Sequence, residues 1–318
     1  MNHFTPDPNC GKSEDDGSIA GSSRLGRRVH AKRQLSPPDP RFRGEIRRNG
    51  LLLREDVLDK GCESLRHISR TRPLVLACRE TGASGPPVQR LVKAIGCPEI
   101  TASRQLVAEL LGNIVAKRMG IQTPEPCLVI LETPICTAIN ASLRSLGFSQ
   151  TIQPGYAAGC EWLRPPPVPY TIGQLLTPEL RKQAVELYVF DMLAQNLDRR
   201  PDKVNCGLNS GGLVAFDFEL CFQHLFLPII GGLGGEHWQP SLSIAGRSHL
   251  FYRPTRTEPP STESIEAMLA GITSDWWNGV SSSLPNEWTA DANRLGSVVL
   301  EIAAHAREFA EDILRSLA

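Results

Sequence analysis

The sequence predicts an α+β protein: a small β-rich lobe holding one helix, then a larger and mostly helical lobe, behind a disordered N-terminal tail. Three observations carry this. A chain of 318 residues exceeds a typical single domain about twofold, so it is two lobes sharing a cleft or one large domain with a tail. Residues 72–132 read as hairpin, helix and strand, and the last third of the chain carries helical periodicity.

Residues 1–48 are rich in Pro, Ser, Gly, Asp and Arg without apolar periodicity, too little to repay the entropy of ordering, and form the expected tail. Its cluster RLGRRVHAKR (Arg24–Arg33) reads as a solvated basic run. RPLVLACRE, starting at Arg72, reads as a buried strand, TGASGPP as a turn, and VQRLVKAIG as the returning strand. TASRQLVAELLGNIVAKRMG places apolar residues at 106, 107, 110, 111, 114, 115 and 119, with Thr101 or Ser103 as N-cap and Gly120 closing the helix. IQTPEPCLVILET follows as loop and strand, which sets the small lobe at 62–133 and the large one at 134–318. Residues 134–176 read as irregular. TPELRKQAVELYVFDMLAQN then makes a long helix with Thr177 as cap and Pro178 in its first turn. GGLVAFDFELCF (Gly211–Phe222) reads as turn, short strand and loop. The helices from STESIEAMLAGI to LGSVVLEIAAHAREFAEDILRSLA complete the chain, with Trp238, Trp276, Trp277 and Trp288 as packing aromatics.

Formal net charge is +0, which gives no global attraction for nucleic acid or membrane. Nine cysteines without a CxxC pair read as reduced thiols, and the N-terminus has no apolar core of a secretory signal. Leu220–Gly235 is too short and too interrupted to cross a membrane, so a cytoplasmic location is expected.

The stretch FDMLAQNLDRRPDKVNCGL (Phe190–Leu208) ends a buried helical pattern in a burst of charge, and its neighbours suggest why. Phosphoryl transfer from ATP needs a loop over the phosphates, a lysine on them, an acid to hold that lysine, a carboxylate at the acceptor and oxygen ligands for metal. The chain offers candidates in that order: the TGASG loop with Gly82, Ser84 and Gly85, then Lys93, Glu109, Asp198, Asn205 and Asp217. Lys93 sits in the apolar run LVKAI, where a buried lysine requires a carboxylate, and Glu109 borders the apolar stripe of the following helix. Asp198, Asn205 and Asp217 are hard oxygen donors suited to magnesium. The glycine loop lacks the Walker pattern, and each residue taken alone has a plain structural reading.

LVAELLGNIVAKRMGIQTPEP, FDMLAQNLDRRPDKVNCGL and LVAFDFELCF resemble three hallmark segments of HipA-like kinase domains, over about residues 62–318. The resemblance implies a bilobal kinase-like fold and an ATP- and Mg-dependent serine/threonine phosphotransferase. It implies Asp198 as acceptor-positioning base, Asn205 and Asp217 as metal ligands, Lys93 and Glu109 as the lysine and acid pair, and Gly82, Ser84, Gly85 and Lys93 around the nucleotide. Ser84 would also be placed for self-inhibition by phosphorylation. The acceptor would be an unknown protein or a small hydroxylated compound, with room for an antitoxin-like partner. The chain departs from the pattern at Arg200, Lys203 and Glu219, which leaves a pseudokinase-like nucleotide-binding or interaction module as the alternative.

Overall fold

Five strands curl into a closed barrel in the order β1-β2-β3-β5-β4, from β1 (Glu55–Ser64), β2 (Leu74–Glu80), β3 (Val88–Lys93), β4 (Pro126–Leu131) and β5 (Gly155–Glu161). The computed structural model describes residues 55–64, 71–80, 84, 86–226 and 246–318. The N-terminal tail, Gly82, Gly85, Trp238 and the glycine-rich stretch Ile229–Trp238 lie outside the described residues. Neighbouring strands are antiparallel except β1 and β4, whose parallel pairing closes the barrel.

The hairpin is β2–β3, with Leu74 opposite Val92. On its other side β3 pairs with β5, Lys93 opposite Ala158, so Lys93 ends an interior strand. Two features differ from the sequence reading. The sheet starts at Glu55, ahead of the expected boundary at 62. Residues 134–176, expected to be irregular, hold most of α2 (Thr133–Ser145) and the barrel strand β5. GYAAGCE has almost none of the branched residues that mark strands. Its small residues answer a packing need: a Cβ on Gly159 would fall 2.7 Å from Val129 Cγ2 and 2.8 Å from Cys127 Sγ.

Helix α1 (Ser103–Arg118) runs between barrel and helices. It packs on β4 and β5 on one side and on α7 (Thr289–Ala304) on the other, and every residue from Leu106 to Ala116 except Glu109 is buried. Its N-cap is Ala102 rather than Thr101 or Ser103. The Gln105 side chain reaches back instead, accepting the N–H groups of Thr101 at 2.8 Å and Ala102 at 3.2 Å, which satisfies donors that the helix leaves open.

Helix α3 (Pro178–Leu193) begins as expected, with Thr177 Oγ1 accepting the Leu180 N–H at 3.3 Å. It packs on β8 (Gly212–Ala215) and α4 (Tyr252–Thr257), and β8 pairs with β7 (Cys206–Asn209), which in turn pairs with the two-residue β6 (Val168–Pro169). The chain finishes in α5 (Thr262–Leu269), α6 (Ser274–Ser281), α7 and α8 (Ala306–Leu317), with α5 laid on α8. Ser261 and Thr273 cap α5 and α6 through their hydroxyls. Trp277 and Trp288 are buried in this helical part, as the packing role expected. Cys136, Cys160, Cys206 and Cys221 are free thiols. Among the described residues no helix is long and apolar enough to cross a membrane.

Candidate functional site

Lys93 is the centre of the site. Its side chain is buried, and three carboxylates meet its Nζ: Glu109 Oε2 at 2.8 Å, Asp217 Oδ1 and Glu219 Oε2. The four groups come from three places in the fold, the lysine from the end of β3, Glu109 from the middle of α1, and Asp217 and Glu219 from the turn after β8. Burial alone pushes the lysine toward its neutral form, but Asp217, Glu109 and Glu219 outweigh it and hold the pKa well above the ordinary value.

Glu109 does two things with one oxygen. Besides Lys93, its Oε2 accepts the Phe218 N–H at 2.7 Å, which ties α1 to the segment carrying Asp217 and Glu219. Gly112, one turn later on α1, makes the approach possible: a Cβ there would lie 2.9 Å from Phe218 Cβ and 3.4 Å from Cys221 Sγ.

Three carboxylates and one ammonium leave an excess of negative charge in a largely dry place. Burial pushes the Glu219 carboxyl up to about 9 even with Lys93 opposing it, and the charges of Asp217 and Glu109 add to the rise. Asp217 moves the other way. Burial raises it, but Lys93, a hydrogen bond with Glu219 and the Lys203 charge carry it well below the usual carboxylate range. The two carboxyls therefore titrate together, with Glu219 keeping a proton to higher pH than Asp217.

Asp198 lies in the loop after α3, buried, with its backbone N–H on Asn196 Oδ1 at 3.1 Å. Its Oδ2 accepts the Asn205 amide at 3.0 Å and is ion-paired with Lys203. Asn205 and Asp217 are joined through the backbone, since the Phe216 N–H donates to the Asn205 carbonyl at 3.2 Å. Both are held at positive φ, +45° and +69°, a conformation that costs a non-glycine residue about 1–3 kcal/mol and persists only where surroundings enforce it.

Arg199 is the enforcing group. Fully buried, it donates from Nη1 to the Asn205 carbonyl and, at 3.5 Å, to that of Phe216, while its guanidinium stacks 5.8 Å from the Phe218 ring centre. Its Nε is held by Asp191 Oδ2 at 2.6 Å. Asp191, on the last turn of α3, also takes the Asn196 amide at 2.9 Å and His249 Nε2 at 2.8 Å. Because His249 Nδ1 accepts the Phe251 N–H at 3.0 Å, the ring proton lies on Nε2 and points at Asp191. Burial holds the His249 pKa down, so the ring is neutral. Burial pushes the Asp191 carboxyl up, but Arg199 and His249 outweigh it and hold it below its usual value.

The structure thus brings Lys93, Glu109 and Asp217 together and sets Asp198 and Asn205 side by side, joined to Asp217 through the backbone. Ser84 is exposed, and the placement of its glycine neighbours falls outside the described residues. Sequence reasoning missed Glu219 as a partner of Lys93, Lys203 as a partner of Asp198, and the Asp191–His249 pair. A signal for Asp191 existed: an acid inside the apolar run LYVFDML is rarely buried without a partner.

No protein-family description matches this chain, and no curated protein matches it. Among solved structures it is similar to a Helicobacter pylori proinflammatory kinase, CtkA, at 12% sequence identity and a TM-score of 0.46, over 79% of this chain and 97% of that one.

Proposed function

We propose that the protein is an ATP- and Mg-dependent phosphotransferase of HipA-like type that phosphorylates a serine or threonine hydroxyl of another protein, or a small hydroxylated compound. The observation that carries the reading is the buried Lys93 held at once by an acid from the helix behind it and an acid from the turn after β8. A lysine so oriented presents a fixed ammonium to nucleotide phosphates, and the acids keep it charged.

The residues present fit a divalent cation. Glu109, Asp217 and Glu219 each offer a carboxylate oxygen, all within 4.8 Å of one another, and these are hard donors of the kind magnesium takes. Three acids meet a single ammonium there, and a cation would relieve the excess negative charge. Asp217 with Asn205 would hold the metal, which when bound neutralises phosphate charge as the bond to the leaving group breaks. Lys93 binds the phosphates nearer the nucleoside. Asp198 orients the acceptor hydroxyl and receives its proton.

Glu219 supports a second reading. It already occupies Lys93, so phosphates must displace it, and a chain in which they do so without turnover would be a nucleotide-binding pseudokinase. Purified protein tested for stabilisation by ATP with and without Mg, and for ADP release, separates these. A ligand at 100 times its Kd should add about 2.7 kcal/mol to stability. The phosphotransferase reading expects stabilisation and ADP release, with release lost in Asp198→Ala. In Asp217→Asn release should fall further than binding. Stabilisation without release leaves the pseudokinase, and the absence of both responses refutes both readings.

A further inference from the structure

Three cations crowd residues 199–203, and the fold sends them in three directions. Arg199 is buried inward under Asn205 and Phe216, and Arg200 reaches outward to Asp202 at 3.1 Å. Lys203 alone of the three turns to Asp198, as an ion pair with only about a fifth of its side chain exposed. Its backbone is pinned by reciprocal bonds with Arg200, N to O at 2.9 Å and 3.1 Å, across a tight turn whose corner is Pro201 and Asp202. The lysine is therefore presented from a closed loop, with little of the rotameric freedom of a surface lysine.

The oxygen it meets is the one that accepts the Asn205 amide. The ammonium accordingly lies on the acceptor side of the site, against the Asp198 carboxylate and beside Asn205, whose carbonyl takes the N–H of Phe216 next to Asp217.

We infer that Lys203 is the fixed cation of the transfer site: its ammonium, held at Asp198, binds oxygens of the phosphoryl group in flight and takes the place of a second divalent cation. This rests on the phosphotransferase reading. In the step, the acceptor oxygen forms its bond to the γ-phosphorus as the bond from that phosphorus to the β,γ-bridging oxygen breaks. ADP leaves with the bonding pair, and the hydroxyl proton passes to Asp198. Negative charge spreads over the equatorial oxygens meanwhile, where a pre-positioned ammonium acts without reorganisation.

The test compares the full chain with Lys203→Met and Lys203→Arg. Affinity for ATP with Mg is read by thermal shift, turnover by ADP release, and metal number by Mn²⁺ electron paramagnetic resonance in the complex with a non-hydrolysable ATP analogue. In Lys203→Met, affinity should stay within about threefold while ADP release falls by about 10²–10³, the usual loss for one transition-state donor. Lys203→Arg should recover most of the rate, and the wild type should bind one Mn²⁺ per nucleotide complex. Turnover in Lys203→Met within about threefold of wild type overturns the inference and leaves the phosphotransferase reading standing. So does a second Mn²⁺ in the wild-type complex. A wild type that binds nucleotide without releasing ADP overturns it in favour of the pseudokinase, and one that does not bind nucleotide overturns both.

Discussion

Asp191 offers the sharpest test of how the site is held. Its carboxylate is fully buried and satisfies the Arg199 guanidinium at 2.6 Å, the His249 ring at 2.8 Å and the Asn196 amide at 2.9 Å. Asp191→Ala leaves a fully buried cation without its anion, a loss of about 3–5 kcal/mol. The orphaned ring and amide donors act in the same direction, though not additively. At about 2–4 °C per kcal/mol for a chain of this size, the melting temperature should fall by roughly 6–20 °C. Urea denaturation with a single transition gives the free energy directly. Asp191→Ala combined with Arg199→Met removes the stranded charge along with its partner, so the double variant should lose clearly less than the two singles summed. A loss below about 1 kcal/mol in Asp191→Ala, or strict additivity in the double variant, would refute the claim that this pair organises the loop.

Three further expectations follow from the same geometry. Glu219, with its carboxyl pushed up to about 9 by burial and neighbouring acids, binds in the folded state a proton that the unfolded chain has released above about pH 4.3. Stability from this group therefore falls as pH rises toward 9, and Glu219→Gln should flatten the melting temperature between pH 5 and 9. Parallel curves would count against that folded-state proton. Gly112→Ala raises helix propensity by about 1 kcal/mol yet sets a methyl 2.9 Å from Phe218 Cβ, and overpacking costs about 1–3 kcal/mol. The variant should be net destabilised in urea, and a neutral or stabilised protein would show that Phe218 moves freely. His249 is held neutral by burial, so the unfolded chain binds more protons than the folded one as pH drops below about 6.5, and stability is lost there. His249→Gln keeps a donor for Asp191 and should lose that slope between pH 7 and 5, measured by thermal melts.

The order Lys93, Glu109, Asp198, Asn205, Asp217 was legible in the chain, as were α3 with its Thr177 cap and the hairpin β2–β3. These are features of a few consecutive residues: apolar period, a capping hydroxyl, a turn, a charged residue interrupting an apolar run. What they cannot carry is which polar groups of distant segments share one dry volume. Glu219 looked like a departure from a motif because sequence spacing compares it with its neighbours. The fold compares it with Lys93, 126 positions earlier, where burial makes every carboxylate within reach part of one charge balance.

The tertiary structure also decided the barrel and the support of the loop. Strand β5 is hidden in GYAAGCE, where Gly159 faces Cys127 and Val129 too closely for any side chain, so at that position packing removed the local strand signal. His249 and Asp191 stand 58 positions apart, and neither is marked by its own surroundings as the other's partner. Local periodicity and capping energies act within a turn or two of chain. The pairing of buried charges is fixed only when the apolar faces of α1, α3 and the barrel close and remove water, because only then does an unpaired ion cost several kcal/mol.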